Sequence, residues 1–146
     1  MNVEVKLDST VNEIKVIIIT DKLSEEVDEI VQKLSDTKPQ MVAGFSDDTV
    51  TVLNPDDIVR IYAANGKVYA VAGSEEYVLR LRLYELEERL KHNSFVRISN
   101  SEIINLKKVK NFDLSFAGTI CVILINGEST FVSRRYVSKI KGVLGI

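Results

Sequence analysis

The sequence predicts a mainly β protein with a few short helices, an α+β fold. Two Asn-Gly pairs, Asn65-Gly66 and Asn126-Gly127, stand between apolar runs, and this dipeptide is the strongest short signal for a β-hairpin. Apolar stripes at helical spacing are confined to three short segments. With 146 residues, the chain is long enough for one domain with a modest extension.

The start of the chain predicts two strands and a helix. Residues 3–7 alternate apolar and polar side chains, and residues 14–20 form a β-branched run, so both are expected to be strands. Asp21 or Ser24 can cap the helix that follows, and Pro39 stops anything beyond it. The stripe of that helix is formed by Leu23, Val27, Ile30, Val31 and Leu34. This β-β-α segment is predicted to be an acidic N-terminal extension, residues 1–45.

Residues after Pro39 predict hairpins. Three pairs of strands flank short polar turns: 41–45 with 49–53, 58–63 with 67–72, and 119–125 with 129–132. In the run Ile120–Ile125 both strand faces are apolar, which predicts a strand covered on both sides. Stacked sheets are therefore expected rather than one open sheet.

Two further helices are predicted among the strands. Residues 82–91 carry an apolar side of Leu83, Leu86 and Leu90. Their polar side offers two ion pairs at i,i+4 in the favourable order, Glu85–Arg89 and Glu87–Lys91. The last helix, over about 134–144, presents Val137, Ile140 and Leu144 on one face.

The first turn of the last helix is unusual. Ser133 is a suitable N-cap, yet Arg134 and Arg135 follow at once. Cations at a helix N-terminus oppose the macrodipole by about 0.3–1 kcal/mol each, whereas anions are attracted by the free N–H groups. The pair forms a phosphate site, or the two side chains simply extend into water over a sheet. The sequence of this pair leaves both interpretations open.

Charge is distributed unevenly along the chain. Residues 1–52 hold 5 Lys/Arg against 11 Asp/Glu, a net of −6, and residues 89–146 hold 10 against 3, a net of +7. The formal charge of −2 therefore conceals a dipolar molecule. Basic residues gathered in one region and mixed with Ser and Asn indicate a surface for a polyanion.

Other chemical functions find little support in the residues. His92 and Cys121 are the only His and Cys and cannot build a zinc site, and the glycines form no phosphate-binding loop. The acidic cluster at residues 25–29 is typical of a helix first turn. We therefore predict no catalytic residue, cofactor, metal or small-molecule substrate, and no enzymatic activity. No apolar run is long enough for a membrane span and no export signal is evident, so a cytoplasmic protein is expected.

Several segments together resemble the LytTR DNA-binding domain of bacterial transcription regulators. They are residues 57–69, 83–90, 95–105 and 132–136, which occur in the family's order. The resemblance covers residues 48–146, and we place the DNA-binding domain at 46–146. It implies an elongated stack of small antiparallel sheets that binds double-stranded DNA through loops entering successive major grooves. It also implies sites that are imperfect direct repeats.

The resemblance also implies roles for particular residues. Asn100 and Arg135 align with base-contacting positions, and Lys67 falls near a third. Asn pairs well with adenine and Arg with guanine. Phosphate contacts are expected from a second group, whose role needs only charge or a hydroxyl and reach: Arg97, Ser101, Lys107, Lys108, Ser133 and Arg134. Where many members have His-Arg-Ser, this chain has Ser99-Asn100-Ser101, which alters the expected base preference.

The N-terminal extension bears on partners and regulation. It leaves no room for the phosphoryl-accepting receiver domain of familiar members, so a standalone regulator is expected. The extension could pack on the domain, mediate dimerisation or bind a regulator. Tandem copies on DNA and an inhibitory small membrane protein are the other partners that the resemblance suggests. The alternative function is a protein-interaction or sensor module that has lost DNA binding.

Overall fold

In the computed structural model, residues 1–34 and 40–146 are described. Contacts divide the chain into two units, Met1–Thr37 and Lys38–Ile146. The first unit contains helix α1, Glu25–Leu34, with three carboxylates in its first turn, and this confirms the predicted helix. The Ser24 Oγ accepts the N–H of Val27 at 3.4 Å, so Ser24 rather than Asp21 caps it. The predicted stop at Pro39 lies outside the described residues.

The two strands predicted before α1 are wrong. Residues 3–7 and 14–20 form no strand, and their apolar side chains are exposed, with Leu7 97% and Ile14 95% accessible. An alternating or β-branched sequence suits a strand, but a strand exists only where a neighbour pairs with its backbone. The sequence of these segments does not indicate which other segment would pair with them, because periodicity describes the faces of a strand and not its partner.

The described residues of the second unit, 40–146, form ten strands and two helices. The strands are β1 Val42–Ser46, β2 Thr49–Leu53, β3 Ile58–Ala64, β4 Lys67–Ala72, β5 Glu75–Leu79, β6 Phe95–Ser99, β7 Glu102–Asn105, β8 Val109–Asp113, β9 Ile120–Leu124 and β10 Ser129–Val132. The helices are α2 Leu83–Arg89 and α3 Arg134–Leu144. Short 3₁₀ turns at Pro55–Asp57 and Leu106–Lys108 precede β3 and β8.

All three predicted hairpins are present, but their turns differ. β1 pairs with β2, β3 with β4, and β9 with β10, each antiparallel. Asn65 and Gly66 both take positive φ, 53° and 75°, as a type I′ turn requires. At the second Asn-Gly pair only Gly127 has positive φ, 88°, and the Asn126 Oδ1 accepts the Glu128 N–H at 3.0 Å. That hairpin therefore closes through an Asx turn.

The strands form two stacked sheets, which confirms the mainly β architecture. One sheet has seven strands in the order β2-β1-β5-β4-β3-β7-β6, and the other has three in the order β10-β9-β8. Neighbouring Ile103 and Ile104 of β7 point to opposite faces and enter two different cores. The first core packs under α2 and the second lies between the sheets, where Ile140 of α3 also packs.

Both ion pairs predicted for α2 are wrong. Glu85 Oε1 accepts the Arg82 N–H at 3.2 Å, and Arg89 Nη2 donates to the Met41 carbonyl at 3.1 Å.

Lys91 Nζ lies 2.6 Å from Glu88 Oε1 rather than beside Glu87. The helix ends at Arg89, and Leu90 is its C-cap at φ −105°, ψ 8°. Lys91 therefore lies beyond the helix, where the i,i+4 geometry no longer applies. Glu87 is left to face other elements.

Candidate nucleic-acid interface

The turn between β6 and β7 carries Asn100 at an exposed tip. Ser99 Oγ accepts the N–H of Ser101 at 3.2 Å, and the β6–β7 register shifts between Arg97 and Ser99. A bulge of this kind redirects the side chains that follow it. The turn therefore has a defined conformation, in which Asn100 is exposed to solvent.

Arg97 holds this turn from below. Its Nε donates to the Ser99 carbonyl at 2.7 Å and its Nη2 to the Asn100 carbonyl at 2.5 Å. Its Nη1 forms an ion pair with Glu87 of α2 at 2.9 Å. The Arg97 side chain is only 13% exposed. All three guanidinium nitrogens thus bind within the protein, and the predicted phosphate contact of Arg97 stays a prediction.

Helix α3 begins beside the same turn. Ser133 is its N-cap residue, as predicted, and its backbone N–H donates to the Ile98 carbonyl of β6 at 2.9 Å. The Ser133 side chain makes no capping bond, so its hydroxyl is available to a ligand. Arg134 and Arg135 are exposed in the first turn. The Tyr136 hydroxyl donates to Asn100 Oδ1 at 3.4 Å, which joins the helix to the turn.

Lys67 lies at the same end of the large sheet. The Ala63 N–H donates to the Ser101 carbonyl at 2.8 Å, and Ala64 of β3 pairs with Lys67 of β4. The tip of the β3–β4 hairpin therefore adjoins the β6–β7 turn. The structure brings together five exposed residues, which we call the reading surface: Lys67, Asn100, Ser101, Arg134 and Arg135.

Lys107 and Lys108 lie elsewhere. They follow Asn105 at the opposite end of β7 from Ser101, and four residues of strand span about 13 Å. Lys107 Nζ pairs with Asp56 at 3.3 Å. Lys108 lines an open 560 Å³ cavity, whose walls include Asp57 and Asn126. The structure does not unite these two lysines with the reading surface.

A second network of charged groups joins the two sheets. Glu102 of β7 is buried and accepts the Thr130 hydroxyl of β10 at 2.7 Å. Arg60 of β3 lies with Nε 3.0 Å from Glu102 Oε2 and Nη1 3.3 Å from Glu128, and its guanidinium stacks over Tyr62. Burial raises the pKa of the Glu102 carboxyl, against the lowering effects of Thr130 and Arg60. The hydrogen bond to Glu76 raises the pKa of Tyr62 to about 12.

Sequence patterns did not reveal two residues at this site. These residues are Glu87 and Lys139. The sequence predicted an ion pair of Glu87 with Lys91 on the surface of α2, but Glu87 contacts Arg97 and, at 3.7 Å, Lys139 of α3. Lys139 in turn lies 5.9 Å from the Tyr136 ring centroid. The only signal in the sequence was the i,i+3 spacing of Tyr136 and Lys139 on one helix face.

The described part of the chain contains neither a candidate metal site nor a candidate membrane-spanning helix. No group of His, Cys, Asp and Glu side chains there is arranged to hold a metal ion. No helix in residues 1–34 or 40–146 has both the length and the apolar character needed to cross a membrane.

Comparisons with known proteins agree with the geometry of the second unit. The family model of the LytTr DNA-binding domain matches residues 48–145. A solved LytTr DNA-binding domain from Bacillus cereus has a TM-score of 0.70 and 25% identity, over 73% of this chain and 97% of that one. The chain therefore belongs to the family of LytTr DNA-binding domains.

Curated relatives in Staphylococcus aureus are similar over most of their length. An uncharacterized HTH-type transcriptional regulator of strain NCTC 8325 is 33% identical over 126 residues, 86% of this chain and 85% of that protein. Its counterpart in strain MRSA252 is 32% identical over the same coverage. The helices described here are each separated by five strands, so residues 1–34 and 40–146 contain no helix-turn-helix pair.

Proposed function

We propose that this protein regulates transcription by binding specific sequences in double-stranded DNA through the reading surface. The proposal rests on one observation: Asn100 lies beside the start of α3, to which the 3.4 Å hydrogen bond from the Tyr136 hydroxyl joins it. Residues 35 positions apart in the sequence, Asn100 and Arg135, thereby act on one ligand. Both bear the side chains that best distinguish base edges in a major groove.

The chemistry of each side chain suggests its partner. Asn100 can accept from adenine N6 and donate to N7, while Arg135 can donate twice to guanine. The Tyr136 hydroxyl uses one lone pair of Asn100 Oδ1 and leaves the second for a base. Lys67 is proposed as a third base contact at the edge of the surface.

Phosphate binding fits the start of α3. Its first turn contains no acidic residue, so the N–H groups of the helix attract an anion. Arg134 adds charge and the uncapped Ser133 hydroxyl adds a donor. Ser101 completes the polar rim of the surface. We propose Lys107 and Lys108 as contacts to more distant phosphates, because they lie at the far end of β7.

Two copies on tandem half-sites are proposed as the bound assembly. The helices α2 and α3 span only 7 and 11 residues, which is too short for a dimerising coiled coil. Loop contacts from one copy cover a limited stretch of duplex, so a second copy would lengthen the recognised sequence. The first unit is proposed to contact either that copy or a regulator, of which a membrane-bound inhibitor is one kind.

The proposal is tested by comparing a duplex that the protein selects from a random pool with unselected duplex. Arg135→Ala should weaken binding to the selected duplex by about 1–3 kcal/mol and have far less effect on unselected duplex. Lys108→Ala is the matched control, because a lost phosphate contact weakens both alike and reduces the salt slope by about one unit. Both affinities are measured by fluorescence anisotropy over a range of salt concentrations.

Two outcomes would contradict parts of the proposal. An unchanged ratio of selected to unselected affinity in Arg135→Ala would remove that residue from base recognition. A wild-type protein that shows no salt-dependent binding to any duplex would favour the protein-interaction or sensor module.

A further inference from the structure

An acidic residue lies beneath the reading surface. Glu87 projects from α2, and its two carboxylate oxygens reach different elements: Oε2 lies 2.9 Å from Arg97 Nη1 of β6, and Oε1 lies 3.7 Å from Lys139 Nζ of α3. One side chain therefore bridges the strand that leads to Asn100 and the helix that carries Arg135.

Arg97 links Glu87 to the β6–β7 turn. Its guanidinium is planar and rigid, so a bond at Nη1 fixes the directions of Nε and Nη2. Those two groups donate to the carbonyls of Ser99 and Asn100 at 2.7 and 2.5 Å. Without Glu87 the guanidinium keeps only its two bonds to the turn, so its orientation, and with it the position of the two carbonyls, is less firmly fixed.

Helix α3 receives the second arm of the bridge. Lys139 Nζ forms a 3.7 Å ion pair with Glu87 and lies 5.9 Å from the Tyr136 ring centroid, and Tyr136 bonds the Asn100 side chain. The backbone of Asn100 is thus held through Arg97, and its amide through Tyr136. Both routes converge on Glu87.

We propose that Glu87 is a positioning residue for sequence recognition, holding the Asn100 turn and the start of α3 in the geometry that base contacts need. This inference rests on the proposed function. It assigns a favourable role in DNA binding to a carboxylate within a basic surface.

Simple electrostatics makes the opposite prediction. A duplex is densely charged, and Glu87, whose side chain is 40% exposed, would repel it within a Debye length of about 8 Å. If charge alone mattered, removing Glu87 would strengthen binding to every duplex. If position matters, removal weakens binding to the selected duplex. The sign of the change therefore separates the two accounts.

The experiment measures selected and unselected duplex affinities for the wild type, Glu87→Gln, Glu87→Ala and Glu88→Ala. Glu88→Ala is the matched control, because this substitution removes a carboxylate from the same helix. Among the described ion pairs, Glu88 pairs only with Lys91. We expect Glu87→Ala to lose about tenfold on the selected duplex, part of what one misplaced bidentate contact costs. Glu87→Gln retains an acceptor for Arg97 and should lose about threefold. Glu88→Ala should change by less than about twofold.

Coupling through Arg97 supplies a second measurement. In the Arg97→Lys background the carbonyl clamp is absent, so Glu87→Ala should add less than about twofold to the loss. Circular dichroism at the assay temperature shows that each variant is folded. If Glu87→Ala is not folded, the near-isosteric Glu87→Gln variant provides the test instead.

The outcomes separate this inference from the proposed function. Equal or tighter binding of Glu87→Gln to the selected duplex overturns the positioning role, as does an equal loss on both duplexes. The proposed function stands in those cases if Arg135→Ala still loses selectivity. A wild type without preference for any duplex overturns both.

Discussion

Three arginines of the second unit have three different surroundings. Arg60 is enclosed by Glu102, Glu128 and the Tyr62 ring, and it holds the sheets together. Arg97 is largely buried and clamps a turn. Arg135 is exposed in the first turn of α3. A guanidinium that is already satisfied within the protein has few donors left for DNA, so exposure and unused donors support the proposal that Arg135 contacts bases.

The buried carboxyl of Glu102 leads to a prediction about pH. Burial raises its pKa above the ordinary value of 4.5, so above about pH 4.5 the folded state binds more proton than the unfolded state. Its contribution to stability is therefore largest at low pH and is lost as pH rises through the folded pKa. The unfolding free energy of wild type minus that of Glu102→Gln should fall with rising pH, by at most about 1.4 kcal/mol per unit.

Urea unfolding of both proteins between pH 4 and 8 measures this difference, because the other titrating groups are shared and cancel. The groups facing Glu102 are Arg60, Glu128 and Thr130. A difference that grows with pH would show that Arg60 stabilises the carboxylate by more than its burial costs.

At the scale of elements, α3 combines a proposed role in DNA binding with a cost to stability. Its first turn has two arginines, no acidic residue and no side-chain cap, which opposes the helix dipole. The same arrangement attracts an anion. An element selected only for stability would carry carboxylates at this position, as α1 does.

Arg134→Glu should therefore stabilise the protein and impair DNA binding at once. We expect the free energy of unfolding to rise by about 1 kcal/mol at low salt, and the gain to shrink as salt screens the dipole. Lys141→Glu is the control, because it removes a favourable cation from the last turn and should destabilise by about 0.3–1 kcal/mol. A loss of stability in Arg134→Glu would indicate instead that the Arg134 side chain is stabilised beside Gly118.

At the scale of the whole molecule, the two units differ in how they bury apolar surface. Both hydrophobic cores consist of residues from Val42 onward. Helix α1 has no buried residue, and Leu23 and Ile19 are 85% and 94% exposed. The second unit therefore contains the described cores, and the described residues of the first unit leave large apolar side chains exposed.

Two truncated chains test this division. Residues 38–146 should retain nearly all the stability of the second unit. Residues 46–146 should lose several kcal/mol, because they lack all of β1 except Ser46, and β1 pairs with β2 and β5 and buries Val42. Thermal unfolding compares them, and equal stability of the two would show that β1 contributes little.

Sedimentation of the 38–146 chain against the full chain tests the first unit's role in self-association. A dimer that survives the truncation would remove the first unit from that role.

Local patterns in the sequence were sufficient to predict the helices, the three hairpins and the Ser133 N-cap, because spacing and turn chemistry depend on near neighbours. The predicted strands at 3–7 and 14–20 were wrong, since a strand depends on a pairing partner whose position in the chain local sequence does not specify. The candidate site residues Asn100, Arg135 and Lys67 were named from the family resemblance. Only the tertiary structure united them, through bonds such as Tyr136–Asn100 and Ala63–Ser101. Glu87 and the clamp of Arg97 likewise depend on packing between α2, β6 and α3, which no local spacing encodes.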